Sequence, residues 1–427
     1  MYYIESNIST ILENTKTTID LQYTTFQYTY TNLKTEYPSF MWDAAIGALR
    51  DDISVQIINA DYFHALDTLW KDLNKDDVKL FVFLSVLAKR VLTYARQPFR
   101  DVPNNVGDGG NQTYTEIDCV ELSLNIAREE IHALYIGQYT QKVLANRLKL
   151  TDIKNKINGA FQKLLSSSTW VKQGLNIAGS TMAKNMKMNF SPLKTSVRQT
   201  SNITGEKQSF LSLALELHKQ KYVSEMSRLG KKVSEISMDW TSTQVYFDAH
   251  LNAIGLPTGL AIYLNEENQP FEVYSYIGML MAQKFVRVLT GSLTGGVPPQ
   301  WWGTDNTLAF TDVPQCFGQQ LSKFQNMYYD IGNIMIANSA FEVIKQVYQT
   351  YSTSLNRDIP GTNIKENVLF VINTAQLFCR LKDGTHTFRL IKERINNVMT
   401  NNVDFQQMFS CPDVSSMVSN NTCSLFS

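Results

Sequence analysis

The stretch Ile277-Gly278-Met279-Leu280-Met281-Ala282-Gln283-Lys284-Phe285-Val286-Arg287 constrains the fold more than any other part of the chain. Its apolar residues, with those just beyond it, fall at 277, 280, 281, 285, 288 and 289, the period of a helix packed into a core. Trp301-Trp302 closes the segment downstream.

The rest of the chain supplies a core for such a helix. Apolar residues make up 44% of the 427, enough for two or three domains. Basic and acidic residues balance at 39 each, so nothing favours electrostatic capture of nucleic acid. Residues 1 to about 75 read as polar helices with a break near Pro38, and Asp76 to Tyr94 as an N-capped helix. Asp101 to Thr115 reads as a loop. Helical periodicity then runs through Glu116–Asn146, Asp152–Leu165 and Thr169–Lys187, a polar linker is expected over 189–205, and helix returns at Phe210–Leu229. The convincing β signal is Thr243–Phe247, a turn, and Ala253–Pro257. The expected class is mainly α with a small β-sheet, in two domains, 1–205 and 206–427.

The N-terminus has no basic n-region or apolar h-region, and the longest apolar run, Leu80 to Ala88, is half a membrane span. The chain as written therefore shows neither export signal nor anchor. Sequons at Asn7, Asn111, Asn189, Asn202 and Asn420 would suit a secreted glycoprotein. The cysteines at 119, 316, 379, 411 and 423 fit no Cys-x-x-Cys metal site.

Separate landmarks, in order, resemble the neprilysin and endothelin-converting-enzyme family of zinc peptidases. They are Cys119-Val120-Glu121 running to Ala133-Leu134-Tyr135, then Ile254-Gly255-Leu256-Pro257, the helix at 277, Trp301-Trp302 and Cys316. Gly332…Asn338-Ser339-Ala340, Ala375-Gln376-Leu377-Phe378-Cys379, Lys392-Glu393-Arg394-Ile395 and the end from Phe405 through Cys411 and Cys423 follow. The resemblance implies a zincin-like, thermolysin-like C-terminal lobe (206–427) beside an all-α lobe (1–205). It also implies an extracellular or cell-surface setting. The family's ectodomain begins well upstream of Met1, so the chain is expected to lack part of its N-terminal lobe.

The residues at the family's working positions differ from the family's own. Gln283 stands at the first zinc histidine, Lys284 at the glutamate base, and Arg287 at the second histidine. Asn333 stands at the glutamate ligand, Ala337 at the orienting aspartate and Phe388 at the transition-state histidine. The Asn-Ala pair that grips substrate backbone falls on Gln244-Val245, or on Tyr246-Phe247 if two residues are deleted. Arg394 matches the substrate-binding arginine. The resemblance also implies a Cys316–Cys423 disulfide, with Cys119, Cys379 and Cys411 free or paired in another way.

Zinc needs three donors and a water, whereas lysine and arginine offer only N–H groups and repel a dication. No metal, no zinc cofactor and no catalytic residue are therefore expected. Lys284 and Arg287 admit two readings: two cations left in a cavity that water reaches, or, beside Arg394, a site whose partner is a peptide with a free C-terminal carboxylate. The alternative is an active zinc endopeptidase on small peptides. A second metal candidate, Glu129-x-x-His132, has i,i+3 geometry but no second pair to complete it. The glycines at 291–296 lack the Gly-Lys-Ser/Thr of a phosphate loop.

Overall fold

The Thr- and Tyr-rich N-terminal region, expected as helices, contains a strand pair. Strand β1 (Thr25–Thr29) runs antiparallel to β2 (Ser54–Ile58), with Thr25 opposite Ile58 and Thr29 opposite Ser54. Thr, Tyr, Phe, Val and Ile all suit a pleated, half-buried surface, and that preference wins here over a weak helical pattern. Helix α1 (Tyr30–Glu36) follows directly, its N-terminus capped by the Thr29 hydroxyl. Helices α2 (Ala60–Asp72) and α3 (Lys75–Val86) come next, the latter starting from an Asn74 cap.

The computed structural model describes residues 25–87, 127–191, 210–227, 238–291, 300–321, 331–351, 357–378 and 386–426, apart from single positions, with parts of 4–14 and 120–124. The expected loop at 101–115, most of the expected linker, the glycines after 291, Cys119 and Cys379 lie outside them. The chain falls into two compact units, Met1–Leu134 with Lys194–Lys232, and Tyr135–Leu193 with Val233–Ser427. This differs from the boundary expected at 205. A parallel strand pairing and a shared core draw 135–190 into the second unit.

The first unit has a small aromatic core of Tyr30, Leu33, Tyr37 and Ile57, with Trp42 and Phe63 packed against it. In the second, α4 (Arg128–Ser167, from Tyr135 onward) is one unbroken helix where two were expected. Asn146, a candidate break, instead donates to the carbonyls of Ala261 and Leu264, both at 2.8 Å. Thr151 bonds back to the Arg147 carbonyl at 2.8 Å and stays helical. After α5 (Gln173–Lys184), strand β3 (Lys187–Phe190) pairs in parallel with β5 (Ala253–Leu256). Strand β4 (Tyr246–Asp248) pairs antiparallel on the other side of β5, giving the order β3-β5-β4.

Behind the sheet lies α6 (Thr258–Tyr263). A Cβ on its Gly259 would collide with the carbonyl oxygens of Thr241 and Ser242, so glycine lets the loop before β4 lie against the helix. A short helix, Pro270–Val273, passes through a π-helical turn, Tyr274–Gly278, into α7 (Met279–Thr290). Trp302 closes the end of α7, its Nε1 donating to the Leu289 carbonyl at 2.8 Å. The remaining helices used below are α8 (Asp312–Leu321), α9 (Ile331–Tyr351), α10 (Glu366–Gln376), α11 (His386–Thr400) and α12 (Val403–Met408).

Four amides tie α8, α9, α11 and the C-terminal segment together. Asn338 donates to Asn397 at 2.8 Å, Asn397 to Gln320 at 2.9 Å, and Gln320 to Asn401 at 2.8 Å. Asn401 accepts the Cys423 backbone N–H at 2.7 Å. Cys423 is bonded to Cys316 across a Cα separation of 5.8 Å, while Cys411 is a free, half-buried thiol. Among the described residues no helix is long and apolar enough to cross a membrane. The class is mainly α with small sheets, as expected.

Candidate functional site

Nine of the twelve residues of α7 are buried; the three that are not are Gln283, Lys284 and Arg287. Spaced i, i+1 and i+4, they form one strip on a helix otherwise enclosed by the core. Helix α9 packs across it and repeats the pattern: from 331 to 341 every residue is buried except Asn333. The two openings meet, since Arg287 Nη2 donates to Asn333 Oδ1 at 3.0 Å across 46 residues of sequence. Ala337, one turn beyond Asn333, is buried.

Helix α11 runs alongside α9 in the same direction, for Asn338 meets Asn397 while Lys345 meets Asn402 just past its end. That pairing carries half-buried Arg394 to the level of the 333–337 turn. Phe388 also lies on α11, but its side chain is outside the described residues. On the sheet, β4 is one of the two edge strands, and it holds Tyr246 and Phe247 rather than Gln244 and Val245. Val245 is buried before the strand begins.

The donors present do not fit zinc. Gln283 offers one neutral oxygen, Lys284 and Arg287 offer only N–H groups, and the oxygen of Asn333 already accepts from Arg287. Among the described residues no group of three or more His, Cys, Asp or Glu is placed to hold a metal. His132 is buried within α4, and the side chain of Glu129 lies outside the described residues.

What the strip can do is bind an anion. The bond to Asn333 orients Arg287 beside Lys284. Burial, with Arg287 one turn away as the lesser cause, pushes the Lys284 ammonium down to about 8. Its folded value thus lies below the unfolded one of about 10.4. Between those limits the unfolded chain holds a proton that the folded chain releases, so this group makes stability rise as pH climbs from about 8 to about 10. In 13C-methylated protein the Lys284 resonance is expected to titrate near pH 8, and Arg287→Gln to move it upward. Titration of the parent's Lys284 near 10.4 would refute the desolvated strip.

Comparison with known proteins bears on the fold and the family. The profile of peptidase family M13, N-terminal part, matches residues 1–191. Neprilysin-2 of Caenorhabditis elegans is 25% identical over 142 residues, covering 29% of this chain and 19% of that protein. Endothelin-converting enzyme 1 of Cavia porcellus is 20% identical over 226 residues, covering 48% of this chain and 30% of that protein. The chain therefore spans less than a third of the curated relatives it matches. Among solved structures, PepO from Lactobacillus rhamnosis superposes with a TM-score of 0.75 at 14% identity, over 98% of this chain and 68% of that one. The zinc metalloprotease Zmp1 of Mycobacterium tuberculosis gives 0.71 at 15% identity, over 94% and 66%. These likenesses establish the fold.

Proposed function

The chain belongs to peptidase family M13, the neprilysin-type metallopeptidases, and on that premise we propose that it is a non-catalytic member that binds peptides through the α7–α9 opening. One observation carries the reading: a lysine and an Asn-held arginine share the opening of α7, at the positions that the resemblance gives to the family's base and a zinc histidine. A peptide laid along β4 would bring its terminal carboxylate to Lys284 and Arg287, with Arg394 as the further cation. The Cys316–Cys423 bond supports an extracytoplasmic setting, since disulfides persist in oxidising compartments.

A charge-assisted contact of this kind contributes about 1.5–3 kcal/mol, or roughly ten- to a hundredfold in affinity. Peptides with a free C-terminal carboxylate are expected to bind tighter than their amides by that factor, and Lys284→Glu to remove the difference. Equal binding of acid and amide forms by calorimetry defeats carboxylate capture. Chelator-sensitive cleavage of small peptides by the purified protein would instead support a working zinc endopeptidase.

A further inference from the structure

About 18 Å further along α9 than Asn333, taking twelve residues at helical rise, a cavity of about 310 Å³ opens between α9, α10 and α12. Its apolar wall is aromatic. Tyr348 and Phe370 stack with centroids 4.4 Å apart, and Phe341 lies 5.9 Å from Phe370. At the rim, Lys345 Nζ lies 3.0 Å from Asp404 Oδ2 and donates to Asn402 Oδ1 at 3.3 Å. Gln349 donates to the same Asp404 oxygen at 3.3 Å.

This pair is incompletely used. An ammonium has three donors, and Lys345 spends two of them on Asp404 and Asn402. A carboxylate has two oxygens, and among the described residues Asp404 Oδ1 accepts no hydrogen bond. The rim therefore offers one cationic N–H and one anionic oxygen side by side above an apolar floor, with the Glu342 carboxyl also within electrostatic reach of Lys345. A metal has no donor set there, and a simple anion would meet Asp404. The matching ligand carries both charges on adjacent atoms and an apolar group beside them.

We propose that this cavity binds a free α-amino acid with an aromatic or branched apolar side chain. Its carboxylate takes the third N–H of Lys345, its ammonium takes Asp404 Oδ1, and its side chain lies on Tyr348, Phe370 and Val371. A volume of about 310 Å³ is at the small end of ligand sites and admits a molecule of that size. The site is separate from the α7 strip, and it would let the protein sense the products that peptide hydrolysis releases.

The test is titration of the parent protein with L-phenylalanine by calorimetry and saturation-transfer NMR. Hydrocinnamate, phenethylamine and glycine serve as probes lacking the ammonium, the carboxylate and the side chain. L-Phenylalanine is expected to bind, and each of the three at least about tenfold more weakly. Lys345→Met and Asp404→Asn, both at partly exposed positions, are expected to weaken L-phenylalanine by a similar factor. No binding of L-phenylalanine, or hydrocinnamate binding as tightly, overturns the proposal. Should either variant unfold, the ligand series on the parent decides alone.

Discussion

A chain carrying Gln283→His, Arg287→His and Asn333→Glu together is expected to take up about one zinc ion, where the parent retains none after dialysis. The argument is geometric. Residues 283 and 287 share one helix face, and the Arg287–Asn333 hydrogen bond of 3.0 Å shows that side chains from α7 and α9 already converge. Shorter His and Glu side chains with a metal between them span a comparable gap. The affinity gained is large, because the parent presents no anionic ligand and two cations. Ala337 is buried where an orienting carboxylate would sit, so adding Ala337→Asp is expected to tighten zinc a further 10- to 100-fold, about the usual second-layer effect. Metal analysis reads both results. A folded triple variant that stays metal-free would mean that α7 and α9 are not placed as described. A parent that retains about one zinc would remove the reading of an erased metal site.

Loss of the Cys316–Cys423 bond is expected to be the most destabilising single covalent change. It closes 107 residues, for which the chain-entropy argument gives about 5 kcal/mol. For a unit of this size that corresponds to roughly 10–20 °C in Tm. The bond fastens a segment that also makes its own contacts. Trp170 Nε1 donates to the Leu425 carbonyl at 2.6 Å, and Phe426 packs edge-on against Phe161 with centroids 6.1 Å apart. The measurement is calorimetry on Cys316→Ser and on parent protein with and without reductant. A fall below about 2 °C in both would show that these contacts hold the segment unaided.

The helix at 279–290 was legible because its apolar period is strong and its surroundings complete it. The disulfide was legible only through the resemblance, since nothing local ties residue 316 to residue 423, and the Arg287–Asn333 bond likewise joins two helices that no window of sequence connects. What stayed hidden has physical causes. Strands β1 and β2 are short and rich in Thr, Tyr and Gln, which serve either element. The continuity of α4 depends on Asn146 finding carbonyl partners at 261 and 264, a tertiary fact absent from any window of sequence. The offset that puts Tyr246 and Phe247 on an edge strand needed the pairing with β5. The α9–α12 cavity joins Lys345 to Asp404 over 59 positions and left no periodic trace. Polar residues at 283, 284 and 287, in a run otherwise fit for the core, mark the strip in the sequence itself.

The π-helical turn at Tyr274–Gly278 bears on how such a site can evolve. A π turn accommodates one residue more than an α turn and so resets the phase of whatever helix follows. Deleting one residue there would turn the π turn into an α turn and leave α7 in its present phase. A second deletion would rotate α7 by about 100°. The strip would then present Lys284, Phe285 and Val288, while Gln283 and Arg287 would be driven into the buried places of Ala282 and Val286. Substitutions can rewrite the chemistry of this face one side chain at a time and leave the core untouched. Lineages of this fold should therefore tolerate exchange at 283, 284, 287 and 333, and the loss of one residue between 274 and 278, far more readily than the loss of two.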